Sequence, residues 1–239
     1  MDFKIIHIAE TDSTNRWLKD YPPPLPAGED VVVVAEFQTA GKGCGSNSWE
    51  SERGKNLTFS MLIHPEGLPA NEQFHITEVV SVALCETLEP IINKKVAIKW
   101  PNDIYVGDRK ICGILIENRL QGSVIKDSII GIGLNVNQQA FLSDAPNPVS
   151  MWQLTGQETN REALLEAFLQ AFNEAWESET ISKAYRQRLY RREGYHAFCD
   201  KDGRFEAKLR NVLNDGMLVL EDREGQRRNY AFKEIRYII

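Results

Sequence analysis

Lys99, Asn102, Asp103 and Lys110 bring two ammonium groups, an amide and a carboxylate into one short stretch of chain. These types suit a substrate that carries both phosphates and a metal ion. Cations offset phosphoryl charge, and a carboxylate can take a metal directly or through water. The segment reads Lys-Trp-Pro-Asn-Asp-Ile-Tyr-Val-Gly-Asp-Arg-Lys-Ile-Cys-Gly-Ile-Leu-Ile-Glu, from Lys99 to Glu117. An ordinary hairpin with surface charges has the same composition, so further motifs are needed to assign chemistry.

Three other clusters meet that need. Thr11-Asp12-Ser13-Thr14-Asn15 offers several helix caps, yet its run of hydroxyl and amide groups exceeds what one cap requires. Gln38 is followed by Gly41-Lys42-Gly43-Cys44-Gly45-Ser46, which has neither Walker-loop nor dinucleotide spacing. A flexible surface loop is the plain reading of that glycine-rich stretch. Gly131-Ile132-Gly133-Leu134-Asn135 closes an apolar run. Its two glycines admit a close approach by a ligand, or mark a bulge followed by a turn asparagine.

Lys-Trp-Pro-Asn-Asp, then Lys110 and Gly-Ile-Leu-Ile-Glu, together with Asp-Ser-Thr-Asn at 12–15 and Gly-x-Gly-x-Asn at 131–135, resembles the biotin protein ligase family. The resemblance runs in family order from Asp12 to Asn137 and implies a two-step reaction. ATP adenylates biotin to biotinoyl-5'-AMP, and a lysine of a carboxylase's biotin carboxyl carrier domain then attacks the anhydride. It implies that Ser13, Thr14, Asn15, Gln38, Gly41, Lys42, Gly43, Lys110 and Gly113 bind biotin. Hydroxyls and amides suit the ureido group, which offers one carbonyl acceptor and two N–H donors. Trp49, Lys99, Asn102, Lys110 and Asn135 are implied to bind ATP or the adenylate, with Trp49 stacking on adenine. Lys110, assisted by Lys42 and Mg²⁺, is implied to act in catalysis, with Asp103 as a candidate metal ligand. Where the family loop usually reads Gly-Arg-Gly-Arg or Gly-Arg-Gly-Gln with a glycine two residues later, this chain has Lys42 for the first basic residue, Cys44 for the second position and Ser46 for that glycine. A lipoate ligase and a non-catalytic biotin sensor or regulator are the alternatives.

Strands and helices must position these groups. Ala97 to Trp100 reads as a short strand ended by Pro101, which lacks a ladder donor. Ile104 to Val106 and Ile111 to Ile116 are β-prone runs joined at Gly107-Asp108-Arg109. Val31 to Phe37 reads as a buried central strand, and Leu57 to Ile63 and the Val124 to Val136 run as further strands. A short helix is expected from Arg16, a long amphipathic one capped by Asn71 and ending near Pro90, and one capped by Asn160. Another is expected from Ser182 to Arg192, with Gly194 as C-cap and boundary. His64 and His75 read as core. Pro22 to Pro26 reads as a stiff connector. After Gly194, short strands at Phe205–Leu213, Met217–Leu220, Asn229–Phe232 and Arg236–Ile239 suggest a small antiparallel sheet.

The expected fold is therefore α+β: residues 1–190 form the catalytic domain and 191–239 a C-terminal one. The resemblance specifies a class II aminoacyl-tRNA synthetase-like mixed sheet with helices, plus a small SH3-like β-barrel. The chain has 239 residues, 42% hydrophobic and 26% charged, with no run long enough for a membrane helix and no signal-peptide pattern. Scattered Cys44, Cys85, Cys112 and Cys199 fit reduced thiols in the cytoplasm. A net charge of −6 disfavours non-specific nucleic-acid binding, and, with about ten residues before Asp12, a single-function type without an N-terminal DNA-binding domain is the expectation. No nucleic acid and no membrane are expected as partners, and a homodimer stays open. Residues 185–239 carry 13 Lys/Arg against 9 Asp/Glu. Arg186, Arg188, Arg191, Arg192 and Arg210 could steer an acidic carrier, or that face is merely solvated.

Overall fold

The computed structural model describes residues 1–21, 29–45, 47–142 and 145–239. The connector expected at Pro22 to Pro26, and Ser46, lie outside the described residues.

β-branched and aliphatic runs build a seven-stranded mixed sheet. In chain order its strands are β1 (Phe3–Ile8), β2 (Asp30–Ala35), β3 (Leu57–Ile63), β4 (Val96–Lys99), β5 (Asp103–Val106), β6 (Arg109–Gln121) and β7 (Val124–Leu134). The spatial order is β1-β2-β3-β7-β6-β5-β4. Only β1 and β2 run parallel, and the rest pair antiparallel. The run Val31 to Val34 is almost fully buried, because both faces of β2 are covered.

Helix α1 (Thr14–Lys19) covers one face, where Leu18 packs with Val31, Val33, Leu62 and Ile129. The opposite face carries the main core under α2 (Phe74–Ile92) and α4 (Arg161–Trp176), with Phe59, Phe168 and Phe172 fully buried. Short α3 (Met151–Thr155) and α5 (Ile181–Gln187) complete the helical layer. No helix among the described residues is long and apolar enough to cross a membrane.

Several expected boundaries move. Asn71 sits in a 3₁₀ turn, Ala70–Glu72, and the residue before α2 is Gln73, whose side chain makes no capping bond. Pro90 lies inside α2, which ends where Asn93 adopts a left-handed conformation. Asn160 does cap α4, its carbonyl oxygen accepting from the Glu162 and Ala163 N–H groups. Helix α5 stops at Gln187, short of Gly194. Beyond it Leu189 bridges to Ile98 of β4, giving that edge backbone partners. His64 has a partner in Asp30, whose Oδ1 is 3.4 Å from Nδ1. His75 is half-buried and edge-on to Trp176.

The C-terminal region is a five-stranded antiparallel sheet of β8 (His196–Asp200), β9 (Gly203–Val212), β10 (Leu218–Asp222), β11 (Arg227–Tyr230) and β12 (Arg236–Tyr237). Its order is β11-β10-β9-β8-β12. Four of these strands overlap expected runs. β8 is additional, because His-Ala-Phe-Cys-Asp has only Phe198 as a large buried apolar residue. This sheet shares the main core through Phe198, Ala207 and Leu218. The Trp100 indole N–H donates to the Gly216 carbonyl at 2.9 Å, joining the segment before β5 to the turn before β10.

Candidate active site

Register builds the floor of a cleft. Successive residues of a strand face opposite sides, so Gly131 and Gly133 of β7 point away from the main core. Gly131 pairs with Ser60 of β3, and Gly133 pairs with Gly113 of β6. The resulting floor lies under a cleft of about 250 Å³. The glycines serve the protein's own side chains. A Cβ at Gly131 would overlap Asn15, and one at Gly133 would overlap the Trp49 ring. A Cβ at Gly113 would press on Trp49 and Lys110, at 3.1 and 3.2 Å. The expected close approach is therefore made by Asn15 and Trp49.

At one end the lining groups are neutral. Ser13 precedes α1 without making a side-chain capping bond, which separates its role from capping. Gln38 Oε1 accepts from the Thr14 N–H at 2.8 Å and lies 3.1 Å from its hydroxyl. Ser60 Oγ is 2.7 Å from Thr14 Oγ1 and 2.6 Å from Asn15 Oδ1. Asn15 Nδ2 donates to Glu117 Oε2 at 2.8 Å, and Lys19 pairs with the other Glu117 oxygen at 2.5 Å. Burial pushes the Glu117 carboxyl up, but the Lys19 and Asn15 bonds outweigh it and hold it below its ordinary value.

The other end is charged. In the β4–β5 hairpin Lys99 stands opposite Asp103, and β6 brings Lys110 beside the same carboxylate. Lys110 Nζ is 2.6 Å from Asp103 Oδ1, and Lys99 Nζ is 3.8 Å from Oδ2. Lys99 has aromatic neighbours: the Tyr105 and Tyr237 rings lie 5.1 and 5.4 Å from its ammonium. Burial pulls its pKa below the ordinary lysine value, against the pull of Asp103. Lys110 also lies 5.6 Å from the centre of the Trp49 ring. The Trp49 indole nitrogen is buried without a partner among the described residues.

The glycine-rich stretch is a folded hairpin at the cleft mouth. The Trp49 N–H donates to Gly41 O at 2.9 Å, the Gly43 N–H to Asn47 O at 2.8 Å, and Lys42 bridges Ser48. Lys42 and Gly43 line the cleft, whereas Gly41 is buried, where a Cβ would meet the Trp49 carbonyl at 2.7 Å. Cys44 accepts a bond from Asn102 Nδ2 at 2.9 Å, and burial pushes its thiol pKa up.

Three expected site residues are engaged by the protein's own groups. Asn102 lines the cleft, but its amide donates to Ile114 O at 2.6 Å and to Cys44, clamping the loop. Asn135 is buried and points elsewhere, because β7 ends at Leu134 and the chain turns under β6. Its amide donates to Val149 O at 3.1 Å. The segment so held bonds the Lys110 backbone on both sides, through Asn147 O and the Val149 N–H. Asn135 thus positions Lys110. Asp103 already holds two ammonium groups, and the described residues contain no cluster of three or more metal-ligating side chains.

Sequence reading missed Glu117 and Ser60 as members of the neutral network. It also missed Lys233, Arg236 and Tyr237 of the C-terminal sheet, which line the charged end. Lys233 and Arg236 make no ion pair among the described residues. The arginines expected to steer a carrier are partly neutralised: Arg188 pairs with Glu89 and Glu86, and Arg210 with Glu221.

The α+β fold thus carries a glycine floor with a neutral pocket at one end and a cationic pocket at the other. The chain belongs to the biotin/lipoate A/B protein ligase family, whose model matches residues 8–135. It is 29% identical over 225 residues to the bifunctional ligase/repressor BirA of Bacillus spizizenii, covering 86% of this chain and 66% of that protein. To the bifunctional ligase/repressor BirA of Escherichia coli it is 37% identical over 125 residues, covering 52% and 38%. The chain thus spans just under two thirds of the one and well under half of the other. The solved biotin protein ligase of Aquifex aeolicus, in complex with biotin and ATP, shares the fold with a TM-score of 0.79. Its identity is 24%, over 98% of this chain and 99% of that one.

Proposed function

We propose that this chain is an ATP-dependent biotin protein ligase that forms biotinoyl-5'-AMP and transfers biotin to a lysine of a biotin carboxyl carrier domain. The supporting observation is the juxtaposition, over one glycine floor, of a neutral hydrogen-bonding network with a cluster of cations. The first suits an uncharged ureido head and the second a phosphate chain. In this reading Ser13, Thr14, Asn15 and Gln38 hold the head, and the biotin carboxylate extends over Gly113 toward Lys110.

The carboxylate oxygen attacks the α-phosphate and pyrophosphate leaves. Anion meets anion, so cations must meet the charge that develops on the phosphoryl oxygens. Lys110 is placed for this by Asp103, by the strand register and by the segment Asn135 holds. Lys99 and Lys42 add charge at either side, and Trp49 offers its ring and its unpartnered N–H to the adenylate. Where ATP brings Mg²⁺, the ion would offset phosphate charge, and Asp103 is the carboxylate that would reach it directly or through water. The carrier lysine then attacks the acyl carbon and AMP departs. All four cysteines are free thiols, which fits a cytoplasmic setting. Residues 191–239 act as a C-terminal domain that closes the charged end.

Biotin-dependent exchange of labelled pyrophosphate into ATP tests the first step, and labelling of an isolated carrier domain tests the second. Exchange with biotin and none with lipoate is expected. Exchange with lipoate alone would make the chain a lipoate ligase, and none with either acid would leave a non-catalytic sensor.

A further inference from the structure

The charged end has a cation that the reaction scheme does not use. Lys233 lies in the turn between β11 and β12, lines the cleft, and makes neither an ion pair nor a hydrogen bond among the described residues. Its backbone is held in the left-handed region, φ 72°, unusual for a residue with a side chain. The turn is clamped by Glu234, whose carboxylate accepts from the Ala231 N–H at 2.7 Å and so stays off the lysine. Across the gap Gly45 also has positive φ, 71°. A Cβ on Gly45 would stand 2.5 Å from Lys233 Nζ. The ammonium therefore occupies the space a side chain on the loop would fill. Next to it is Cys44, whose thiol stays neutral because it is half-buried. Lys99 and Lys110 share Asp103, and Lys42 acts on Glu117 at the neutral end.

We infer that Lys233 is a latch: it seats the glycine-rich loop on the C-terminal sheet and supplies the phosphate of the bound adenylate with a cation that the loop lacks at Cys44. The inference rests on the ligase reading above. Because the lysine comes from the C-terminal sheet, the same contact ties loop closure to an occupied nucleotide site. Without an anion, the ammonium lies beside Gly45 and 5.8 Å from the centre of the Phe232 ring. With one, it joins loop, phosphate and sheet.

The test compares wild type, Lys233→Met and Lys233→Arg for release of synthetic biotinoyl-AMP and, separately, for binding of biotin alone. Methionine keeps the stem's length without charge, and arginine restores the charge. Lys233→Met should release biotinoyl-AMP about fivefold faster, as expected for one exposed charge contact. Added salt should accelerate its release less than it does in wild type. Biotin binding should not change, and Lys233→Arg should release at nearly the native rate. Gly45→Ala, which displaces the ammonium, should resemble Lys233→Met. Native release rates in Lys233→Met, or an equal loss of biotin affinity, would overturn the latch while leaving the ligase reading intact. A wild-type chain that binds neither biotin nor biotinoyl-AMP would overturn both.

Discussion

At one end of the cleft Thr14, Asn15, Gln38 and Ser60 bond to one another, and the Glu117–Lys19 pair stands behind them with Lys42 acting on Glu117. At the other, Lys99 and Lys110 share a single carboxylate, Asp103, and Lys233 and Arg236 line the same end. At the first end Thr14, Asn15, Ser60 and the Gln38 side-chain oxygen already have protein partners. A bound head group must replace bonds that already exist, so affinity there depends on geometry. The second end holds uncompensated positive charge that an anion would neutralise. Binding there depends on charge, and therefore on salt. The difference teaches that a neutral site can be fixed in advance, whereas like charges brought together need their ligand.

The largest expected effect follows from Lys110. Lys110→Ala should lower adenylate formation by about a hundredfold or more, the usual cost of removing one preorganised charge-stabilising donor. Biotin binding should fall far less. Pyrophosphate exchange and biotin titration on the same preparation separate the two, and an equal loss in both would erase the distinction between the ends.

Gly131→Ala attacks the neutral end. The new methyl would collide with Asn15, which is buried and bonded to Ser60 and Glu117. Loss of about one hydrogen bond should weaken biotin about tenfold. The Michaelis constant for ATP should hold steady at saturating biotin. A parallel rise in both constants would mean that the floor moves as one body.

The smallest effect concerns pH. The Glu117 carboxyl is held below its ordinary value of 4.5, so its ionised form is favoured in the fold. Its support of Asn15 should be fully present above that value and fade as pH falls through the lower folded value. Biotin affinity measured by titration should be flat from neutral pH down to about 4.5 and decline only below it. Glu117→Gln should lower affinity at neutral pH and flatten the acid limb. An unchanged acid limb in that variant would place the titrating group elsewhere.

Where the site was legible, the reason was locality. Lys99, Asp103 and Lys110 converge because a tight hairpin and the next strand set their register, and turn residues and β-prone runs show both. Asp12 to Asn15 was legible for the same reason: a short helix start presents neighbouring side chains together. What those residues face was not legible. Gly131 and Gly133 looked like room for a ligand, and only the packing of Asn15 and Trp49 showed which groups occupy it. Asn135 stood in the expected motif position, yet the chain leaves the ladder at Leu134 and buries its amide under Val149.

Sequence by itself determined the α+β class, the two families of strands and the residue types that a phosphate-bearing substrate needs, since these follow from short-range periodicity, turns and charge. Only the tertiary structure decided that the C-terminal sheet closes the charged end. Lys233 meets Gly45, and Trp100 meets Gly216, across more than a hundred residues of chain. Contacts of that range depend on how two sheets share one core, and no local pattern of residues records it.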